Sequence, residues 1–413
     1  MKTAYRSASA ATIAAAMFFL QVPASYAAPG DPLTAEFQVD SGSGTLFSMP
    51  SAARDGVGDI VIAWARNGSS QGIYARLYDP SGTAKGPEFA IPLAHALPAT
   101  APAVAMDTAG DFVVASTSSD AATLSFRIQA QRYAANGTAL GAPITVASVP
   151  KLAGLGFASQ PSVAMDAGGD FVLAWSQGAY FDVVVPDSAE AAAGSRSIYA
   201  RRYASSGAAK GPAFLVESDP PDLLVTGGGP QAVVVDADGN FVVAWINENL
   251  YRHTIEYKRY NASGIQRGLK AEVKPLSDKF PYHLNLAADA AGNFTIFWSE
   301  GGPNGPYSLV AQGYTAAGKA LGAAKAIGSL IGPVSMQPDG EFVLATATGS
   351  GIVAQRYSAA AVAEGGVIQV SSASVAPTVA VDGYGDFVVA WGEGTSHGIQ
   401  QYDSIHARLF SGQ

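Results

Sequence analysis

The chain has 413 residues, 48% hydrophobic and 14% charged, with 46 glycines, 24 prolines and no cysteine. That composition excludes a charge-rich disordered chain and a collagen, and the missing thiol excludes disulfides, a cysteine nucleophile and the usual zinc or iron–sulfur centres. With 24 Lys and Arg against 33 Asp and Glu, a net charge of −9, nucleic acid is not an expected partner.

At the N-terminus, Lys2 and Arg6 precede an apolar stretch over residues 10–22, followed by Pro23, Ser25, Tyr26 and Ala27. Positive charge, short apolar core and small residues at the end make the pattern of a secretory signal peptide over residues 1–27. The stretch is shorter than the roughly 20 residues a membrane helix needs, and no later run approaches that length. Residues 28–413 are expected to form one exported domain, periplasmic or extracellular, without a membrane span.

The rest of the chain repeats. Met106-Asp107-Thr-Ala-Gly110-Asp111-Phe112-Val-Val-Ala returns as Met165-Asp166-Ala-Gly-Gly169-Asp170-Phe171-Val-Leu-Ala-Trp175. It returns again around Asp236, Gly239 and Trp245 and around Asp382, Gly385 and Trp391, with looser copies at Asp55/Gly58/Trp64, Asp289/Gly292/Trp298 and Gln337/Gly340/Thr346. The recurrent glycines lie 45 to 70 residues apart, giving seven units. Each unit reads as four short strands. A small-residue strand enters the Asp-x-x-Gly turn and an aromatic, β-branched strand leaves it. A third strand alternates strictly, as in Ile198-Tyr-Ala-Arg-Arg-Tyr203, and a Gly-x-x-x-Gly turn leads to a short fourth. Seven such units predict an all-β, seven-bladed β-propeller with four antiparallel strands per blade.

The two ends support a ring. The seventh unit reaches its third strand at Ile405–Phe410 and has no fourth, while an orphan strand at Glu36–Val39 precedes the first unit. That N-terminal strand is expected to complete the last blade, which removes open sheet edges. The units resemble the repeats of secreted bacterial seven-bladed β-propellers, through the Asp-x-x-Gly-Asp/Asn-Phe-Val-Val-Ala-Trp core, and are distantly similar to NHL-type blades. The resemblance implies architecture, since propellers host binders, lyases, hydrolases and scaffolds.

Most repeated side chains read as structural. The five tryptophans occupy one repeat position and are expected to pack between blades, with an aromatic ligand cage as the alternative. The Asp residues of the turns are expected to accept backbone N–H groups, with a calcium site as the alternative and no other cofactor implied. Gly313 to Ala320 nearly matches a phosphate-binding loop, but Ala320 stands where Ser or Thr must hold magnesium. Two Gly-x-Ser-x-Gly segments, at 68–72 and 394–398, lack the helix that a nucleophile elbow requires.

Function is carried disproportionately by variable loops on a rigid scaffold. In a propeller, the loops after the second strands and those between blades share one face, opposite the standard turns. The candidate ligand-binding residues there are Arg66, Gln177, Tyr180, Asp182, Tyr251, His253, Glu300, Glu393 and His397. The sequence reading is a monomeric binding or scaffold module for an envelope or extracellular glycan or protein. The alternative is a glycan-cleaving hydrolase or lyase using Glu300 or Glu393 as acid or base, with Tyr251, His253 or His397 assisting; hydrolysis would need two carboxylates about 5 to 9 Å apart.

Overall fold

The computed structural model describes residues 27–412 apart from 42–45, 48, 68–69, 94–100, 121–122, 151–155, 180–195, 219–230, 249–252, 277–279, 302–306, 374, 376 and 395–401. The signal-peptide reading therefore falls almost wholly outside the described residues, and so do Tyr180, Asp182, Tyr251 and His397. Among the described residues every regular element is a strand, and none forms a helix long and apolar enough to cross a membrane.

The strands form seven antiparallel sheets arranged as blades, so the chain is a seven-bladed β-propeller. The first blade runs Ser51–Arg54, Ile60–Asn67, Gly72–Tyr78 and Phe89–Ile91. The fifth runs Phe280–Ala288, Phe294–Gly301, Ser308–Tyr314 and Lys325–Gly328. The last is Thr378–Val381, Phe387–Glu393 and Ser404–Phe410, completed by Phe37–Gln38 from the N-terminus. This closure is held by more than two ladder residues. Val39 N donates to Ile405 O at 2.7 Å, the buried Asp40 carboxylate accepts Ile405 N at 2.6 Å, and Leu33 N donates to Leu409 O at 2.9 Å. Two short additions, Leu46–Phe47 and Gly156–Ala158, extend the second strands of blades one and three.

The repeat motif acts within and between blades. The aromatic that opens the second strand stacks on the aromatic that ends the third, at 4.8 to 5.0 Å in six blades. The five tryptophans are at most 1% exposed and each packs against the preceding blade, for example Trp64 against the last-blade residues Val388, Ala390 and Leu409. The arginine two residues before the closing aromatic of the third strand latches neighbours: Arg76, Arg201 and Arg408 donate to the carbonyls of Val39, Val146 and Val370 at 3.0 to 3.2 Å, the first just past and the other two on the outer strand of the preceding blade.

The Asp-x-x-Gly turns are built as expected. Asp107 Oδ1 accepts Ala109 N at 2.9 Å and Asp111 N at 3.0 Å, and the equivalent atoms of Asp55, Asp166, Asp236 and Asp382 do the same. All seven turn glycines lie at φ between +78° and +96°, a region costly for residues with a Cβ. They are also crowded from the neighbouring blade. A Cβ on Gly169 would lie 2.9 Å from Asp107 Oδ2, and one on Gly292 would lie 2.7 Å from Asp236 Oδ2. The near match to a phosphate loop is a hairpin, with Thr315 N bonded to Lys319 O and Gly318 N to Thr315 O at 2.7 to 2.8 Å.

Candidate functional site

Because the seven inner strands converge on the axis, the two faces differ in what they leave open there. At the turn face the channel narrows to a cavity of about 280 Å³ lined by Arg54, Met106, Met165, Met336 and the Asp turns. Arg54 lies where other blades place Met, Val or Ala, and its Nη2 meets Asp382 Oδ2 at 2.9 Å, joining the first and last blades with side chains 0% and 3% exposed. Burial lowers the Arg54 pKa against the pull of Asp382, and burial raises the Asp382 carboxyl despite Arg54 and two backbone amides.

At the loop face the axis opens into a cavity of about 1000 Å³, bounded by residues from all seven blades. Its wall is laced by side-chain amides. Gln231 Nε2 donates to Gln160 O at 2.9 Å while its Oε1 accepts Ser159 and Ser176 hydroxyls at 3.2 and 3.1 Å. Gln160 Nε2 reaches Pro102 O at 3.4 Å, and Asn285 Nδ2 reaches Gly332 O at 3.2 Å. These links tie blade to blade and place amide and hydroxyl groups along the rim.

One blade departs from the others. The inner strand of blade five carries a β-bulge: Tyr282 faces Ser299 and Asn285 faces Phe297, which leaves His283 and Leu284 opposite the single residue Trp298. His283 takes φ +50°, one of three non-glycine residues at positive φ among those described, and it is exposed at the cavity. The bulge is pinned by Ser299 Oγ donating to Tyr282 O at 3.0 Å, by burial of Leu284, and by the Tyr282 ring edge-on to Tyr307 at 6.2 Å. Bulges and left-handed non-glycine residues concentrate where a side chain is re-aimed for a task.

The sequence candidates lie one strand further out. Arg66, Gln177, Glu300 and Glu393 each sit at or near the end of a second strand, two residues past the repeat tryptophan, and none lines the cavity. Three have internal partners. Gln177 Oε1 accepts the Trp175 indole N–H at 2.9 Å. Glu300, 4% exposed, accepts the Trp298 indole at 2.7 Å and Leu276 N at 2.6 Å. Arg66 stacks over Tyr74 at 4.0 Å and pairs with Glu88 at 2.6 Å; burial works against ionised Glu88, but Arg66 and Ser41 outweigh it and hold that carboxyl below its usual range. Glu393 stands apart. It faces His406 at 3.2 Å, with Glu36 beside them both. Burial pushes its carboxyl up; His406 draws it down and Glu36 adds to the rise. Glu300 and Glu393 therefore keep separate company on blades five and seven. His253 opens the third strand of blade four, and its side chain lies outside the described residues.

The residues that do line the cavity, Gln160, Gln231, Tyr282, His283 and Asn285, were not among those the sequence singled out. One signal was available. Blade five's inner strand reads Pro281-Tyr-His-Leu-Asn-Leu, bulky and polar where other inner strands are mostly small residues, as in Ala103-Val-Ala.

No family model matches the sequence and no curated protein matches it, so the NHL-type resemblance has no family match behind it. Solved structures do match in shape. An ulvan lyase bound to a saccharide of glucuronate and sulfated rhamnose superposes with a TM-score of 0.57 at 10% identity, over 92% of this chain and 96% of that one. A second polysaccharide lyase gives 0.54 at 10% identity, over 92% and 100%. A protein of unknown function from Dyadobacter fermentans gives 0.51 at 13% identity, over 93% and 99%. These likenesses establish the propeller fold.

Proposed function

We propose that the protein is an exported carbohydrate-binding propeller that takes a polysaccharide segment into the central cavity of its loop face. The observation that carries this reading is the bulge that presents His283, beside Tyr282 and Asn285, at the edge of a cavity of about 1000 Å³. Saccharides are recognised by amides and hydroxyls that meet their hydroxyl groups and by flat apolar surfaces that stack on ring faces. Gln160, Gln231, Asn285, Ser51, Ser162 and Thr378 offer the first kind, Tyr282 and the rim prolines the second. None of the described lining residues is Lys, Arg, Asp or Glu, a chemistry suited to a neutral glycan. The fold is shared with two polysaccharide lyases, one with an acidic saccharide bound, which supports a saccharide ligand, while the choice of a neutral one rests on the lining alone.

A second reading, glycan cleavage, is favoured by the strained His283 alone, because an imidazole is suited to moving a proton near neutral pH. The two readings separate experimentally. Incubation with a bound polysaccharide, followed by assay for new reducing ends and for the ultraviolet absorbance of a newly formed double bond, gives a signal only for cleavage. Binding without either product leaves the module reading standing, and turnover abolished by His283→Gln supports the enzyme.

A further inference from the structure

The junction between the N-terminal strand and the last blade gathers metal-ligating atoms that the repeat does not explain. His406 Nδ1 lies 3.1 Å from Glu36 Oε1 and 3.2 Å from Glu393 Oε2. Neither approach is a hydrogen bond: Nδ1 and Glu393 Oε2 are both shut off from solvent and have no hydrogen-bond partner. Donor atoms close together yet badly aligned are what a shared cation requires. Two ligands each about 2.1 Å from a metal, at angles between octahedral and tetrahedral, are separated by about 3.0 to 3.4 Å.

Two further observations point the same way. In three other blades the repeat indole is satisfied by a neighbour, Trp175 by Gln177, Trp298 by Glu300, and Trp245 by the cross-strand Glu256 at 3.1 Å, whereas the Trp64 indole of blade one has no such partner. Glu393 and His406 occupy those same two seats beside Trp391, yet the Trp391 indole N–H, in a side chain 0% exposed, has no partner. The carboxylate has turned away from the indole toward His406. The Trp391 and His406 rings stack at 6.3 Å, which leaves the indole at the back wall of the cluster. The outer contacts also orient the ligands. Ser404 Oγ meets His406 Nε2 at 3.1 Å and can fix the tautomer with its lone pair on Nδ1, while the buried Ser371 donates to Glu36 Oε2 at 3.2 Å. Partners of this kind hold metal ligands in register.

We infer that Glu36, Glu393 and His406 bind one divalent transition-metal ion, which fastens the N-terminal strand to the last blade. One imidazole with two carboxylates suits zinc or manganese better than calcium or magnesium, which prefer oxygen throughout. Glu36 and Glu393 bring two carboxylates to one imidazole, and a divalent ion balances their charge. The ion joins Glu36 to Glu393 and His406, 357 and 370 residues further along the chain, across the N-terminal strand and the two strands beside it in the last blade, and so closes the ring.

The test uses the whole chain stripped with EDTA and titrated with zinc, following bound metal by equilibrium dialysis and the unfolding midpoint by calorimetry. The expected result is one saturable zinc per chain and a midpoint that rises with zinc concentration, with calcium giving no comparable rise. Glu36→Gln changes an exposed residue, and His406→Tyr installs the residue that blades one and three carry opposite their tryptophans. Each should weaken zinc at least about tenfold, since even the partners of ligands contribute that much, while the metal-free midpoint stays close to that of the parent. Absence of saturable uptake, or uptake and midpoint shift unchanged in both variants, overturns the site, and an equal response to calcium overturns its assigned chemistry.

Discussion

Glu300 separates a structural role from a catalytic one. Its carboxylate is 4% exposed and accepts two donors, the Trp298 indole at 2.7 Å and Leu276 N at 2.6 Å. Glu300→Ala leaves both donors without this acceptor. Hydrogen bonds to a charged group contribute about 1.5 to 3 kcal/mol each, so the loss should reach about 3 to 6 kcal/mol. Glu300→Gln keeps an acceptor oxygen in the same place, as Gln177 does in blade three. Its two bonds become neutral rather than charge-assisted, a cost of about 1 to 2 kcal/mol. Urea unfolding reads both: the alanine variant should fall by roughly 1 M in midpoint and the glutamine variant by well under half of that. Glycan binding should survive in the glutamine variant. Equal losses in the two variants, or no loss in the alanine variant, would show that the carboxylate is not the acceptor described.

Three further outcomes follow from the same contacts. Arg54→Met strips Asp382 of its buried partner and should cost about 3 to 5 kcal/mol, much of it restored when Asp382→Asn is added; a double-mutant cycle by chemical denaturation with additive costs would contradict the pair. Burial raises the Asp107 carboxyl above its usual range despite the amides of Ala109 and Asp111. The folded state therefore favours the protonated form, and that contribution is complete at acidic pH and is lost as pH rises through the raised value. Asp107→Asn keeps an acceptor oxygen, so it should match the parent most closely at acidic pH and gain on it as pH rises past the carboxylate range; a gap that opens toward acid would reverse the sign. Finally, His283→Gly suits the observed φ of +50° and should unfold no earlier than the parent, by a margin of up to about 1 kcal/mol in its favour. A clear drop in its midpoint would mean that the side chain supports the fold.

The architecture was legible because a propeller writes the same physics seven times. Each turn needs a glycine at positive φ that also clears a carboxylate or amide of the neighbouring blade, and six of the seven second strands open with an aromatic that stacks on the third. The split blade was legible too, since Glu36–Val39 had no partner nearer than Ile405–Phe410. Side-chain roles beyond the repeat were less so. The position two residues past each tryptophan varies because it must answer an indole N–H or a local neighbour, as Gln177 and Glu300 do, and that variety looks the same in sequence as a binding surface. The cavity lining was missed for the opposite reason: Gln160 and Gln231 sit at the heads of inner strands that otherwise read as small-residue packing, and the bulge that presents His283 and Asn285 shows only in the strand pairing. Glu36, Glu393 and His406 come together only when the ring closes, so no local spacing announces them.

The most direct test of the central claim is calorimetric titration of the protein with a panel of neutral and acidic oligosaccharides, run in parallel on Tyr282→Ala and His283→Gly. A glycan that saturates at one site per chain, with heat lost or sharply reduced in both folded variants but retained in Glu300→Gln, is the predicted result. Binding that ignores Tyr282 and His283, or that depends on Glu300 instead, would place the ligand away from the central cavity.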